Sequence, residues 1–171
     1  MSLPIRLRSK VVKGFQRGSR ELGIPTANLS REDVGAELFD GLECGIYMGW
    51  ASIEETGAIN GRPLKVFKAA VSIGYNPHYK NTLKTCEPHL IAPPDDDCRH
   101  LSSCGETVMH DFYDSTIRLS VLSKIRDELP FESLEKLIIA IKSDIKITEE
   151  KLNDATDEVS MTEKEWCRTM D

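Results

Sequence analysis

The sequence predicts a mainly β domain, a closed or nearly closed antiparallel barrel with one α-helix packed on it towards the C-terminus. Three observations predict it. Apolar and polar residues alternate with period two in several stretches of the first three quarters of the chain, the pattern of half-buried strands. Turn-rich loops separate those stretches, as in small all-β domains. After Pro130 the apolar spacing changes to that of a helix.

The first strand is expected over Leu7–Gly14, where Ile5, Leu7, Ser9 and Val11 alternate with Arg6, Arg8, Lys10 and Val12. That alternation reads as a strand rather than an amphipathic transit helix. In Cys44–Ser52, Ile46, Met48 and Trp50 share one face, and Gly45, Gly49 and Ala51 the other. Glycines gathered on one strand face point to tight curvature or a close backbone neighbour, as in a small barrel. Phe67–Gly74 sets Phe67, Ala69, Val71 and Ile73 against Lys68, Ala70, Ser72 and Gly74. A short strand is expected at His89–Ala92. Ser115–Ile125 places Ile117, Leu119, Val121 and Ile125 opposite Arg118, Ser120 and Lys124. Five or six strands joined this way favour a barrel.

Phe131, Leu134, Ile138, Ile141 and Ile145 fall at helical spacing, with Leu137 widening the stripe. Pro130 precedes the first turn, and Glu132 and Glu135 lie beside the positive helix end, so a helix is expected from Ser133 to Lys151. Residues 1–153 therefore form one domain. Residues 154–171 are read as a polar, acidic tail with at most a helical turn around Glu163–Arg168. Trp50, Tyr75 and Tyr79 are assigned to barrel and loop packing.

A chain of 171 residues suits one domain, and 40% hydrophobic with 29% charged residues is ordinary for a globular protein. A net charge of −6 argues against a general nucleic-acid partner. No apolar stretch reaches membrane-spanning length. Five cysteines, odd in number and irregularly spaced, fit reduced thiols. Cys98, His100, Cys104 and His110 match no zinc spacing and read as loop residues. A cytoplasmic monomer is expected, with an organellar location left open.

One stretch organises the chemistry. Lys13–Asn28 carries glycines at 14, 18 and 23 among Lys13, Arg17 and Arg20, and ends in Pro25-Thr26-Ala27-Asn28. Glycine lets backbone approach a ligand closely, and successive N–H groups in such turns form anion-binding concavities. Six basic residues precede the first acid, Glu21, and their field suits a polyphosphate. Thr26 and Asn28 offer hard oxygens of the kind Mg²⁺ accepts beside phosphates. On composition alone the stretch is a glycine-rich hairpin with a proline turn.

The order G-x-x-R-G-S-R-x-L-G-I-P-T-A-N closely resembles the signature of the riboflavin kinase (flavokinase) family, of the monofunctional eukaryotic type. Further markers follow in order: G-I-Y-x-G-W-A at 45–51, V-S-I-G-Y-N-P-x-Y-K-N-T at 71–82, E-x-H at 87–89, D-F-Y at 111–113 and F-x-S-L-E at 131–135. The resemblance spans residues 10 to 152. It implies a six-stranded Greek-key barrel that transfers the γ-phosphoryl of ATP to the 5′-hydroxyl of riboflavin, giving FMN and ADP.

By that resemblance Gly14, Arg20, Thr26, Leu90 and Tyr113 contact ATP, and Thr26 and Asn28 hold a divalent ion, Mg²⁺ being the expected one. Arg126, Leu129 and Phe131 line the flavin pocket, and Glu87 opens the E-x-H at the active centre. On chemical grounds Glu87 is the base rather than a nucleophile, because the substrate already brings an attacking oxygen. His89 is read as a satisfied core histidine. Phe131 doubles as the first core residue of the helix. The sequence departs from the family pattern at Asp114, where a glycine is usual, and in the longer stretches 54–65 and 92–110, the second read as a solvated loop. Those departures motivate the alternative of a nucleotide- or flavin-binding barrel with impaired turnover. A flavin reductase on a related barrel is disfavoured, since nothing in that reaction needs P-T-A-N.

Overall fold

The computed structural model describes residues 2–12, 27–54, 63–75, 83–95, 115–153 and 157–169. They form six strands: β1 (Ile5–Val12), β2 (Asn28–Leu29), β3 (Gly45–Glu54), β4 (Val66–Tyr75), β5 (Lys84–Ile91) and β6 (Thr116–Arg126). Four helices accompany them: α1 (Arg31–Val34), α2 (Ala36–Gly41), α3 (Leu134–Lys151) and α4 (Glu158–Arg168). No helix among the described residues is long and apolar enough to cross a membrane, which says nothing of membrane-spanning strands.

The strands run antiparallel in the order β2-β1-β6-β3-β4-β5. β3, β4 and β5 follow one another as neighbours and β6 returns beside β3, which is a Greek key. The two edges meet: the Ala27 N–H donates to the Pro88 carbonyl at 3.0 Å. Pro88 has no N–H to return, so the seam is held at this pair by one bond where a regular antiparallel pair exchanges two.

Period two decides what fills the barrel. Leu7 and Val11, Tyr47 and Ala51, Ala69 and Val71, Cys86 and Leu90, and Ile117 and Leu119 all point inward, joined by Phe39 of α2. On β3 the inner face is the one that carries the glycines, and the reason is visible at Gly49. A β-carbon there would collide with the Ser120 carbonyl oxygen, at the point where the β3–β6 register shifts. Glycine lets β6 come in close and the sheet curl.

The outer face is covered as well. α3 begins at the expected place, with the Ser133 hydroxyl accepting from the Lys136 N–H at 3.2 Å. It lays Ile138, Ile141 and Ile145 over Ala70 and Ile91. Burying Ile145 contributes on the order of 2 kcal/mol.

Residues 158–168 are not a tail. They form the eleven-residue helix α4, which packs on β3 and β6 with Trp50, Leu152 and Cys167 in a second outer cluster. The residues it buries are mostly polar, Ser160 and Glu163 with Cys167, so no apolar stripe marks it in the sequence. Each meets a partner. Trp50 donates its indole N–H to Ser160 Oγ at 3.0 Å, Arg6 Nε and Ser120 Oγ donate to Glu163, and Ser52 Oγ donates to the Cys167 carbonyl. The polar face of β6 is buried for the same reason: Arg118 stacks on the Trp166 ring at 4.3 Å, and Ser120 is fully covered.

Two further expectations change. The strand expected at His89–Ala92 begins earlier, at Lys84, with Pro88 inside it at the seam. Tyr75 ends β4 44% exposed, its ring 5.9 Å from Lys84 Nζ. Trp50 does pack, under α4.

Candidate active site

Gly14, Arg20, Thr26 and Tyr113 lie outside the described residues, as do Asp114 and most of the stretches 54–65 and 92–110. The remaining expected site residues, Asn28, Glu87, Leu90, Arg126, Leu129 and Phe131, can be placed.

β5 sorts its side chains by alternation. Cys86, Pro88 and Leu90 turn into the core, so Thr85, Glu87 and His89 turn outward. Leu90 is 1% exposed within the core cluster, which leaves only its main chain for a ligand to meet. His89 sits on the outer face, across from Ala70 of the cluster under α3, rather than inside the barrel. Burial pushes its imidazole down to about 4, so it is neutral at pH 7.

The seam brings Asn28 to Glu87. β2 runs against β1, and a six-stranded antiparallel ring closes antiparallel, so the Ala27–Pro88 bond sets Ala27 across from Pro88 and Asn28 across from Glu87. Ala27 and Pro88 are buried inside, which turns Asn28 and Glu87 to the same outer face. Asn28 is only 9% exposed, and its side-chain amide makes no hydrogen bond among the described residues. An amide oxygen is a fitting donor for a hard cation. No group of three or more acidic, histidine or cysteine side chains is placed to hold a metal among the described residues.

Glu87 pairs across β4 with Ser72, and Thr85 with Gly74. Burial pushes the Glu87 carboxyl above its ordinary range, offset in part by a hydrogen bond from the Thr85 hydroxyl, and the nearby Glu128 carboxylate raises it further. Glu128 lies in the segment after β6. Its own carboxyl is raised by burial, while the Tyr75 N–H that it accepts and the nearby Arg126 work the other way. A carboxylate kept above its usual range in a partly dry site is a better proton acceptor than a solvated one. Glu128 was not singled out in the sequence. Its position within R-D-E-L-P-F, beside Arg126, is the one signal that could have found it.

Arg126 closes the group. Its guanidinium makes a two-pronged pair with Asp144 of α3, Nε–Oδ1 2.9 Å and Nη2–Oδ2 2.8 Å, and lies 5.7 Å from the centre of the Phe131 ring. It therefore fixes the segment 127–133 to the helix, whatever else it touches. Leu129 is 56% exposed on that segment and Phe131 is half-buried. One outer strip across β2, β5 and β4 thus collects Asn28, Glu87 and Glu128, and the Arg126–Phe131 segment borders it.

The flavokinase family model, described as riboflavin kinase, matches residues 1–152. A riboflavin kinase of Mus musculus is 40% identical over 152 residues, covering 89% of this chain and 83% of that protein. One from Aspergillus fumigatus is 37% identical over 165 residues, covering 87% and 76%. Among solved structures, riboflavin kinase from Trypanosoma brucei superposes with a TM-score of 0.62 at 26% identity, covering 92% of this chain and 86% of that one. The order of motifs from Gly14 to Glu135, the Greek-key barrel and these relatives agree, and the chain belongs to the flavokinase family.

Proposed function

We infer that this chain is a riboflavin kinase, transferring the γ-phosphoryl of ATP to the 5′-hydroxyl of riboflavin. The observation that carries the reading is the seam: one hydrogen bond, Ala27 to Pro88, sets Asn28 of the phosphate-side stretch across from Glu87. Glu128 brings the border of the flavin side to the same place.

Phosphoryl transfer asks little covalent work of a protein, so positioning and charge dominate. Glu87 accepts the proton of the 5′-hydroxyl as that oxygen forms its bond to the γ-phosphorus. The bond from phosphorus to the β–γ bridging oxygen breaks, and ADP leaves with the electron pair. The glycine-rich stretch around Gly14, with Arg20, supplies N–H groups and positive charge to the phosphates, and Leu90 and Tyr113 border the nucleotide. Asn28, with Thr26, holds Mg²⁺, which when bound neutralises charge on the phosphate oxygens. Arg126, Leu129 and Phe131 form the flavin wall.

The test is direct. Incubation with riboflavin, ATP and Mg²⁺ is expected to yield FMN and ADP in equal amounts by chromatography. A purified, folded chain that makes no FMN overturns the reading.

A further inference from the structure

Gly74 occupies the end of β4, one residue before the strand stops. Glycine weakens a strand, so a glycine held there calls for a close neighbour. The neighbour is Glu128: a β-carbon on Gly74 would run into both carboxylate oxygens and the carbon that carries them. The carboxylate lies over the Gly74 backbone and accepts the next N–H, that of Tyr75. Across the ladder from Gly74 stands Thr85, whose hydroxyl donates to the Gly74 carbonyl at 3.5 Å and which shares its strand face with Glu87. Glu128 thus lies over this rung of the β4–β5 ladder, and Glu87, paired with Ser72, stands at the next rung on the same face.

The segment that carries Glu128 has a second anchor. Arg126 is held by Asp144 and by the Phe131 ring. Leu129 stands largely exposed between Glu128 and Phe131, offered to whatever occupies the strip. Two partly buried carboxylates side by side oppose each other, and a ligand rich in hydroxyls is the class that relieves them by donating hydrogen bonds.

We propose that Glu128 is a positioning residue for the acceptor alcohol: seated on Gly74, it clamps the segment 127–131 against β4, so that this wall and Glu87 face one reaction space. The proposal rests on the reading of Glu87 as the base and of this segment as the flavin side.

Two substitutions break the clamp from opposite sides. Glu128→Ala removes the carboxylate, and Gly74→Ala displaces it. Each is expected to raise KM for riboflavin about tenfold, the scale of one charge-assisted hydrogen bond, with KM for ATP unchanged. The double variant is expected to be no worse than the weaker single one, because both remove one contact. Riboflavin fluorescence quenching reads the same binding without turnover, so the clamp is tested even if no FMN forms. Glu87→Gln separately tests the base. Should Gly74→Ala fail to fold, Glu128→Ala and Glu128→Gln decide. Wild-type riboflavin affinity in the Glu128 variants, additive losses in the double variant, or an equal loss of ATP affinity would each overturn the proposal.

Discussion

Ala27 donates its N–H to the carbonyl of Pro88 at 3.0 Å, and that bond joins the two edges of the sheet. Next to it on the outer face stand Asn28 and Glu87, from stretches far apart in the chain. The barrel is what makes them neighbours. An open sheet in the order β2-β1-β6-β3-β4-β5 would leave them at opposite edges.

Asn28 should therefore be separable from folding. Its side chain takes no part in the core and makes no hydrogen bond among the described residues. Asn28→Ala is expected to weaken activation by Mg²⁺ at least about tenfold, while the thermal melt stays close to wild type. Titrating Mg²⁺ at fixed ATP and following FMN measures it. An unchanged Mg²⁺ dependence would remove Asn28 from the metal site.

Glu87 should show itself in pH. As the proposed base Glu87 must be ionised, and burial and Glu128 hold its carboxyl above the usual range. Activity is expected to fall with acidification at a pH above the ordinary glutamate value of about 4.3, and Glu87→Gln to lose about 10²–10⁴-fold in kcat with little change in KM for ATP. The stability sign is opposite to the usual one. A carboxyl raised by folding costs stability once pH rises through the interval between its unfolded and folded values, and costs none below it. Glu87→Gln should thus melt higher than wild type at pH 7, the gain vanishing in acid. A variant that melts lower at pH 7 would contradict the buried, raised carboxyl.

Much of this was legible in the sequence, and the misses share a cause. The strands on either side of Val71 and Leu119 show clean alternation, and Ser133 with the isoleucine stripe gave α3 within a residue. Glycines on one face of β3 rightly implied a curled sheet. What alternation cannot show is a second layer built from polar partners. Arg118, Ser120, Ser160 and Glu163 look like solvated residues, yet all four are buried, Ser120 against Glu163, Ser160 against Trp50 and Arg118 against Trp166. Pro88 disguised the first half of β5, because a proline fits a strand only where its missing N–H is not needed, here at the seam. The short helices α1 and α2, too brief for a periodic signal, went unforeseen.

α4 should matter for stability and little for catalysis. Glu163 is almost buried, takes two bonds from Arg6 at 2.9 and 3.0 Å, and one from Ser120 at 2.7 Å. Glu163→Ala is expected to cost about 2 kcal/mol and to lower the melting point by about 4–8 °C for a chain of this size. The Arg6 guanidinium, hydrogen-bonded to it, keeps the Glu163 carboxyl below its usual range. That stabilisation is full above the unfolded value and is lost as pH falls through the folded one. kcat at 25 °C should stay within about twofold of wild type, since a surface far from the reacting groups leaves transition-state contacts untouched.

Arg126 poses the sharpest question, because it is proposed for the flavin wall and yet is bound to Asp144. If its work is to hold the wall, removing Asp144 should reproduce part of the effect of removing Arg126. Asp144 is 6% exposed in its side chain, so Arg126→Ala strands a buried carboxylate, an imbalance of about 3–5 kcal/mol at most and less here, where Arg126 keeps some solvent. Arg126→Ala is expected to melt well below wild type and to raise KM for riboflavin. Asp144→Asn, which keeps shape and removes charge, should raise KM for riboflavin in the same direction by a smaller factor, with ATP unaffected. Combining Arg126→Ala with Asp144→Asn should recover part of the lost stability, because the stranded charge is gone, while leaving KM for riboflavin high. Calorimetry and initial rates on the three variants separate the two roles. A double variant as unstable as Arg126→Ala alone would mean the pair does not hold the wall, and Arg126 would then act on the flavin directly.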